Sequence, residues 1–282
     1  MQRRHERPMA REATIQTSPG RAPIGLPSWA GWPCTMKMVR CKEMFAEFQL
    51  EPMVARSAVP PGHEVRILPD GMALLLLMVQ ECHHCILGGV VRVSPMRMSH
   101  SWIELAGPEE VGAALPGTAA SLPTRYYYAL PHQIDNSLAR LLLTLVGIDV
   151  VKVQRVSLGG EPGGVRHGMV VERASPPTKY SWEESSTIWS TPHVVTGRRW
   201  FYREYGRTLK RRSEGLVVCH SSFLGEGTVG LDVDPSSALG RIGIRGTLHG
   251  TMSPVEMEYC TVTIRVEGGR RRTGNLRRPP GE

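Results

Sequence analysis

Lys152 is the side chain of this sequence with the most specific potential chemistry. It lies between two valines in a β-branched stretch, Val150 to Leu158, that predicts a strand. Burial there would lower its pKa, and a neutral amine can form a Schiff base with a carbonyl compound. Alternation places Val156 on the face of Lys152 and Arg155 on the other face. The alternative is a solvent-facing lysine on an edge strand.

A second group of polar and aromatic side chains comes just before a predicted helix. It comprises Tyr126, Tyr127, Tyr128, His132, Gln133, Asp135 and Asn136. A helix N-terminus beside histidine and tyrosine side chains suits an anion or a carbonyl group. We therefore expect His132 to be catalytic, and we expect four side chains to contact a substrate: Tyr126, Tyr128, Gln133 and Arg155. The alternative is a capped helix with ordinary aromatic packing.

The segment Glu81-Cys82-His83-His84-Cys85 is the densest cluster of potential metal ligands. Two cysteines separated by two residues form half of a zinc knuckle, but no second Cys-x-x-Cys or histidine pair follows at matching spacing. Neighbours on a strand point to opposite faces, so the cluster would be divided. We expect no metal and interpret the cluster as two buried thiols and two histidines near a strand end, with metal binding as the alternative.

The sequence also lacks the common nucleotide and hydrolase motifs. No Gly-x-Gly-x-x-Gly lies between a predicted strand and a predicted helix, and neither a Walker loop nor a Gly-x-Ser-x-Gly elbow occurs. We therefore expect no cofactor.

A helix of about three turns is the clearest element near these groups. Four leucines recur at i, i+3, i+4 and i+7, which predicts one apolar stripe that packs on a sheet. They are Leu138, Leu141, Leu142 and Leu145. Asp135 or Asn136 can cap its N-terminus, and Gly147 can end it in the left-handed conformation.

About ten short predicted strands, separated by glycine and proline turns, make up the rest of the fold. The stretch Val54 to Val65, which contains Pro60-Pro61-Gly62, predicts a loop, and Asp234 to Ser237 can cap a brief helix near Leu239. This pattern predicts a mainly β fold with one internal helix (α+β), in which barrel-like or paired antiparallel sheets enclose a small-molecule cavity.

The charge distribution divides the chain into a nearly neutral body and two basic ends. Of the net charge of +8, residues 1–35 and residues 267–282 contribute +3 each, which leaves +2 for the middle. We predict a disordered leader over 1–35, a single β-rich domain over 36–266 and a basic disordered tail over 267–282. Because the body is nearly balanced, we expect no nucleic-acid partner.

Targeting signals are also missing from the sequence. No segment reaches the roughly 18 apolar residues of a membrane span, and the arginines near the N-terminus are not followed by the apolar stretch of a secretory signal. Six cysteines in 282 residues are too sparse for a disulfide scaffold. We therefore expect a cytoplasmic protein with no membrane partner.

Three stretches carry a resemblance to a known family. They are Val54 to Gly62 with its Val-Pro-Pro-Gly, the apolar strand Met72 to Gln80 followed by Glu81, and the aromatic strand Arg125 to Leu130. In order and type they resemble the acetoacetate decarboxylase-like superfamily. The resemblance implies barrel-like sheets around a small carbonyl-binding cavity, Glu81 as an acid of that cavity, and a homo-oligomer.

One feature departs from that family. Members that decarboxylate use a lysine nucleophile beside a second lysine that lowers its pKa, and this chain has no Lys-Lys pair. The prediction is an acetoacetate-decarboxylase-like enzyme, with lyase chemistry as one option, that acts on a small carbonyl or carboxylate compound through Lys152, Glu81 and His132. The alternative is a non-catalytic small-molecule binding protein with the same fold.

Overall fold

The computed structural model describes residues 34–106, 124–130, 132–145, 148, 150–160, 164–173, 179–188, 193–205 and 209–270. For residues 34 and 124 and for residues 193–205, 209–223 and 265–270, it describes the backbone alone.

This part of the chain forms thirteen strands and three short helices. The strands are β1 (Cys34–Leu50), β2 (Ala73–Leu87), β3 (Val91–Val93), β4 (Met96–Leu105), β5 (Thr124–Ala129), β6 (His132–Ile134), β7 (Val150–Lys152), β8 (Arg155–Gly159), β9 (Val165–Val171), β10 (Lys179–Ile188), β11 (His193–Tyr205), β12 (Leu209–Val233) and β13 (Gly246–Arg270). The helices are α1 (Pro52–Ala58), α2 (Ser137–Leu145) and α3 (Ala238–Arg241).

All thirteen strands belong to one sheet, which curls strongly into a half-barrel. Its main order is β11-β5-β4-β2-β1-β13-β12-β10-β9-β8, with β3 on β2 and with β6 between β4 and β7. Most pairs are antiparallel, whereas β5 with β11 and β6 with β7 are parallel. Strand β11 also pairs with β12, which links the start of the order to its middle. The mainly β, α+β prediction is confirmed.

The inner face of the curl is recognised by side chains that meet across it. Ser99 on β4 and Tyr180 on β10 are hydrogen-bonded at 2.8 Å, although four strands separate β4 from β10 in the main order. Alternate residues of β1 and β2 on this face are buried and apolar, as expected for strands with one face on a core. This inner core includes Met44, Phe48, Leu77, Val79, Trp182 and Leu231.

Several strands are longer than the sequence pattern suggests. The two predicted strands Leu216 to Phe223 and Thr228 to Val233 are parts of one strand, β12, which continues through the glycines between them. A Cβ added at Gly225 would lie 1.8 Å from the carbonyl oxygen of Thr187 on β10. Glycine therefore allows close strand approach here rather than ending the strand.

The predicted strand Val150 to Leu158 is interrupted. It forms β7 and β8 with a break at Val153 and Gln154, because the N–H of Val153 donates to Ile134 on one side while the N–H of Gln154 donates to the carbonyl of Val171 on the other. The expectation that Lys152 and Val156 share one face of a continuous strand is therefore wrong. Val150 packs in a cluster on the outer face, whereas the residues after the break join the inner core.

Helix α2 confirms the predicted element but not its buried face. The Asn136 side chain caps it, because Asn136 Oδ1 accepts a hydrogen bond from the Ala139 N–H at 3.0 Å. The buried side chains are Ala139 and Leu143, which pack on the outer face of the sheet. Three of the four predicted stripe residues, Leu138, Leu141 and Leu145, are 48, 57 and 45 % exposed, so the predicted stripe is wrong. The small Ala139 allows the helix backbone to approach the sheet, and Gly147 lies outside the described residues.

Of the other two helices, α1 contradicts its prediction and α3 confirms its own. Helix α1 occupies part of the segment predicted as a loop, with Pro52 in its first turn, where a missing N–H costs nothing, and with Ala55 buried. Helix α3 confirms the predicted brief helix, because Ser237 Oγ accepts a hydrogen bond from the Gly240 N–H at 3.1 Å. The structure thus has three helices in its described residues, where the sequence predicts one clear helix and one brief one.

Most of the predicted leader and tail lies outside the described residues. The description begins with β1 at Cys34 and ends with β13 at Arg270. The division into leader, domain and tail stays a prediction. Within the described residues, no helix combines the length and the apolar content that crossing a membrane requires.

Candidate functional site

Three charged side chains form a chain from the middle of β2, across the start of β4, to the residue that follows β6. Glu81 and Arg97 are register partners on β2 and β4, and Arg97 Nε donates to Glu81 Oε1 at 2.9 Å. Arg97 Nη1 also lies 3.8 Å from Asp135 Oδ2, just after β6. All three are partly buried, so Arg97 links two carboxylates at the rim of the sheet.

Asp135 is the carboxylate of this group whose ionisation is most affected by its surroundings. Burial raises its pKa, and the nearby Glu81 adds to the increase. A hydrogen bond from the Val156 N–H and the charges of Arg97 and Lys152 oppose it. A carboxyl group with a raised pKa can exchange protons nearer to neutral pH than an ordinary aspartate.

Lys152 lies at the end of β7, beside Ile134 in the register and partly buried. Burial lowers its pKa, Asp135 opposes this effect, and the charges of Arg173 and Arg140 add to the lowering. The second lysine that the family resemblance implies is absent. Two arginines nevertheless supply positive charge near the amine.

A fully hydrogen-bonded polar network lies on the inner face beside this rim. Tyr180 OH donates to Gln133 Oε1 and is also bonded to Ser99, while Gln133 Nε2 donates to Glu172 Oε1 at 2.8 Å. Glu172 accepts hydrogen bonds from the Ala238 N–H at the start of α3. Burial raises the pKa of Tyr180, so its hydroxyl stays protonated and keeps the network intact.

His132 belongs to a pair of histidines on the outer face. Its Nδ1 lies 2.6 Å from His100 Nδ1, and the His100 ring stacks on Trp102 with centroids 5.7 Å apart. His132 is the register partner of Val150, two residues before Lys152. By alternation, His132 and Lys152 therefore share one face of the β6–β7 pair.

The remaining predicted residues lie elsewhere. Tyr126 and Tyr128 are on β5, opposite Leu105 and Ile103 at the far end of β4 from Arg97. Arg155 is exposed on β8.

The structure therefore separates the predicted set into groups. Glu81 is linked through Arg97 to Asp135, and the charge of Asp135 acts on Lys152 without a contact between them being shown. Gln133 lies next to this group on the inner face, and His132 lies on the face of Lys152. The predicted small-molecule cavity around all of them stays a prediction.

Sequence reasoning missed Arg97 and the participation of Asp135. The sequence places Asp135 in the polar group before the helix and offers it as a helix cap, a role that belongs to Asn136, but nothing in the sequence indicates its link to Arg97. A signal for Arg97 exists, because pairing β2 with β4 through the short β3 hairpin would place an arginine opposite Glu81. Tyr180 and Glu172 come from distant stretches, and no local pattern brings them to Gln133.

The cluster at residues 81–85 is divided as expected, but its thiols are not both free. Cys82 is joined by a disulfide to Cys41 across the β1–β2 pair, so the interpretation of two buried thiols is wrong for Cys82. The thiol of Cys85 is buried, and His83 is exposed. In the described residues, no group of three histidine, cysteine, aspartate or glutamate side chains is arranged to hold a metal ion.

Comparison with known proteins identifies the fold. The described chain is a mainly β protein with a curled half-barrel sheet, and it has the acetoacetate decarboxylase-like fold. A solved acetoacetate decarboxylase matches with a TM-score of 0.55 and 10% identity over 83% of this chain and 89% of that chain. The acetoacetate decarboxylase of Legionella pneumophila matches with a TM-score of 0.50 and 10% identity over 86% of this chain and 92% of that chain.

A third match is the enduracididine biosynthesis enzyme MppR complexed with pyruvate, with a TM-score of 0.49 and 11% identity over 86% of this chain and 91% of that chain. No family model and no curated protein matches the sequence. At these identities the comparisons show the fold alone.

Proposed function

We propose that this protein is an acetoacetate-decarboxylase-like enzyme that acts on a small carbonyl or carboxylate compound, with Lys152 as its reactive amine. The observation that carries the proposal is the placement of Lys152, which is partly buried at the end of β7 and close enough to Asp135, Arg140 and Arg173 for their charges to act on its amine. A lysine must lose its proton before it can attack a carbonyl carbon. The fold agrees with this chemistry but does not specify the reaction.

The groups around Lys152 supply the other parts of such a reaction. The neutral amine attacks the carbonyl carbon, and the carbinolamine loses water to give an iminium ion. Asp135, as a carboxylic acid, can protonate the departing hydroxyl and then act as a carboxylate base. In a β-keto acid the iminium accepts the electron pair of the breaking carbon–carbon bond as carbon dioxide leaves, which gives an enamine. A proton from the solvent or from an acid of the site then adds to the enamine carbon and restores the iminium, and water hydrolyses this iminium to release the ketone and the free amine of Lys152.

Other charged groups suit a carboxylate-bearing substrate. Arg140 and Arg173 are exposed near Lys152 and would attract an anion. Glu81 would hold Arg97 beside Asp135, and His132 is a second candidate base on the face of Lys152. We expect the working protein to be cytoplasmic and homo-oligomeric.

The proposal is tested by assaying carbon dioxide release from a panel of small β-keto acids. We expect Lys152→Ala to abolish the activity, because the proposed reaction forms its covalent bond with the amine of this side chain. Lys179→Ala, which changes an exposed lysine on β10, is the matched control and should retain it. Turnover that survives in Lys152→Ala would overturn the assignment.

A non-catalytic small-molecule binding protein is the second candidate function. It is favoured by a separate observation, which is that the inner face carries buried polar atoms without partners among the described residues. In that case both lysine variants would behave like the unmodified protein in every assay of conversion.

A further inference from the structure

Arg166 on β9 and Glu184 on β10 form an ion pair inside the half-barrel. They are register partners, and both side chains are completely buried. Arg166 Nε donates a hydrogen bond to Glu184 Oε1. Since a buried charge is costly unless it is paired, each side chain needs the other.

The pair does not use all of its hydrogen-bonding capacity. Arg166 Nη2 donates to the Glu43 carbonyl oxygen at 3.5 Å, but Arg166 Nη1 and Glu184 Oε2 have no partner among the described residues. The same holds for Ser186 Oγ and Trp182 Nε1, which lie one step to either side of Glu184 on the same face of β10. Buried polar atoms are nearly always paired, and four of them on two neighbouring strands share one face without a protein partner among the described residues.

These atoms are distinct from the rim site around Lys152. Val170 on β9 is the register partner of Val156, whose N–H contacts Asp135. Arg166 lies four residues further along β9, which is about 13 Å at about 3.3 Å per residue. The inference therefore does not depend on the function of Lys152.

The free atoms define the chemistry of the ligand. Arg166 Nη1 needs an acceptor, Glu184 Oε2 needs a donor, and the Ser186 hydroxyl can serve either. The charges of the pair cancel, so a carboxylate would introduce an uncompensated buried charge. We propose that the inner face of β9 and β10 binds an uncharged group that carries a hydrogen-bond acceptor next to a donor, such as a primary amide.

Access to this site requires a local opening. The unpartnered atoms are closed to solvent in the structure, so the ligand must bind a less populated open form. The observed affinity is reduced by the fraction of that form, and millimolar probe concentrations are appropriate.

Acetamide and acetate are suitable probes, because they have nearly the same shape and differ in charge and in the presence of a donor. Titration of the isotope-labelled protein by NMR should show saturable shifts with acetamide and none with acetate at equal concentration. Ser186→Ala should weaken acetamide binding about three- to tenfold, the value of one hydrogen bond. Ser185→Ala, which changes the exposed neighbour on β10, should leave it unchanged.

Glu184→Gln gives a test in the opposite direction. It makes the site positively charged and replaces an acceptor by a donor, so the variant should bind acetate and lose its preference for acetamide. Ser186→Ala should stay folded, since it only removes an unpaired buried hydroxyl, and thermal unfolding checks this. Equal binding of the two probes by the unmodified protein, no binding of acetamide, or equal effects of the two serine variants would overturn the proposal.

Discussion

Asp135 accepts a hydrogen bond from the backbone N–H of Val156, with 3.4 Å between Oδ2 and the nitrogen. This contact joins the end of β6 to β8 across the break that follows Lys152. The same carboxylate raises the pKa of Lys152 against the effect of burial. Asp135 therefore fixes the backbone around the lysine and opposes the lowering of its pKa.

Removing the charge of Asp135 should make Lys152 more reactive at a given pH. Asparagine keeps an acceptor for the Val156 N–H but no longer stabilises the ammonium form, so the pKa of Lys152 should fall further in Asp135→Asn. The rate of reductive methylation of Lys152, followed by peptide mass spectrometry against pH, gives this pKa. Arg173→Ala should shift the profile to higher pH. Shifts in the same direction for both variants would contradict the electrostatic account.

The buried hydroxyl of Tyr180 should matter for stability. Tyr180→Phe leaves Gln133 Oε1 and Ser99 Oγ each with one fewer partner in the interior, and we expect a loss of about 1–3 kcal/mol in the free energy of unfolding. Urea denaturation measures it. Val90→Ala, at a residue 83 % exposed, is the control and should stay within about 0.5 kcal/mol. Equal losses of unfolding free energy in the two variants would show that the buried network does not stabilise the fold more than an exposed side chain does.

The sequence predicts the strands and the helix better than it predicts their contacts. The apolar run from Met72 to Gln80 and a cap at Asp135 or Asn136 are local signals, and both agree with the structure, in which β2 contains most of that run and Asn136 is the cap. The buried face of α2 depends on the shape of the sheet beneath it, where the small Ala139 permits the closest approach. The spacing of leucines along the sequence carries no information about the shape of the sheet, so it cannot tell which face of the helix is buried.

The orientation of α2 can be tested with two leucines of the same helix. Leu143→Ala should cost about 2–5 kcal/mol, because its side chain is buried against the sheet. Leu141→Ala should change the free energy of unfolding by no more than about 0.5 kcal/mol, because Leu141 is 57 % exposed. A larger loss for Leu141→Ala would restore the stripe that the spacing predicts.

The packing of Trp182 requires a glycine on the neighbouring strand. A Cβ at Gly168 would lie 2.1 Å from a ring carbon of Trp182, so Gly168→Ala must displace the indole and should cost about 1–3 kcal/mol. A Cβ at Gly230 would find its nearest atom at 3.8 Å, so Gly230→Ala is the matched control. Thermal unfolding of both variants decides the matter, and a stable Gly168→Ala protein would contradict this packing.

The candidate site was only partly accessible from sequence for a similar reason. Lys152 and Glu81 were selected by type and by resemblance, but their connection runs through Arg97, whose position follows from the register of β2 and β4. Arg166 and Glu184 had no signal at all, since a charged residue on a short predicted strand is normally assigned to solvent. Only the curl of the sheet encloses them.

Borohydride trapping tests the central claim most directly. The protein is incubated with a panel of small keto acids and sodium borohydride, and the intact mass and the modified peptide are determined. Reduction of an iminium gives a stable secondary amine, so we expect one adduct, on Lys152, that is absent from Lys152→Ala and present in Lys179→Ala. An unmodified protein with every keto acid, or adducts spread over exposed lysines, would contradict the assignment of Lys152 as the reactive amine.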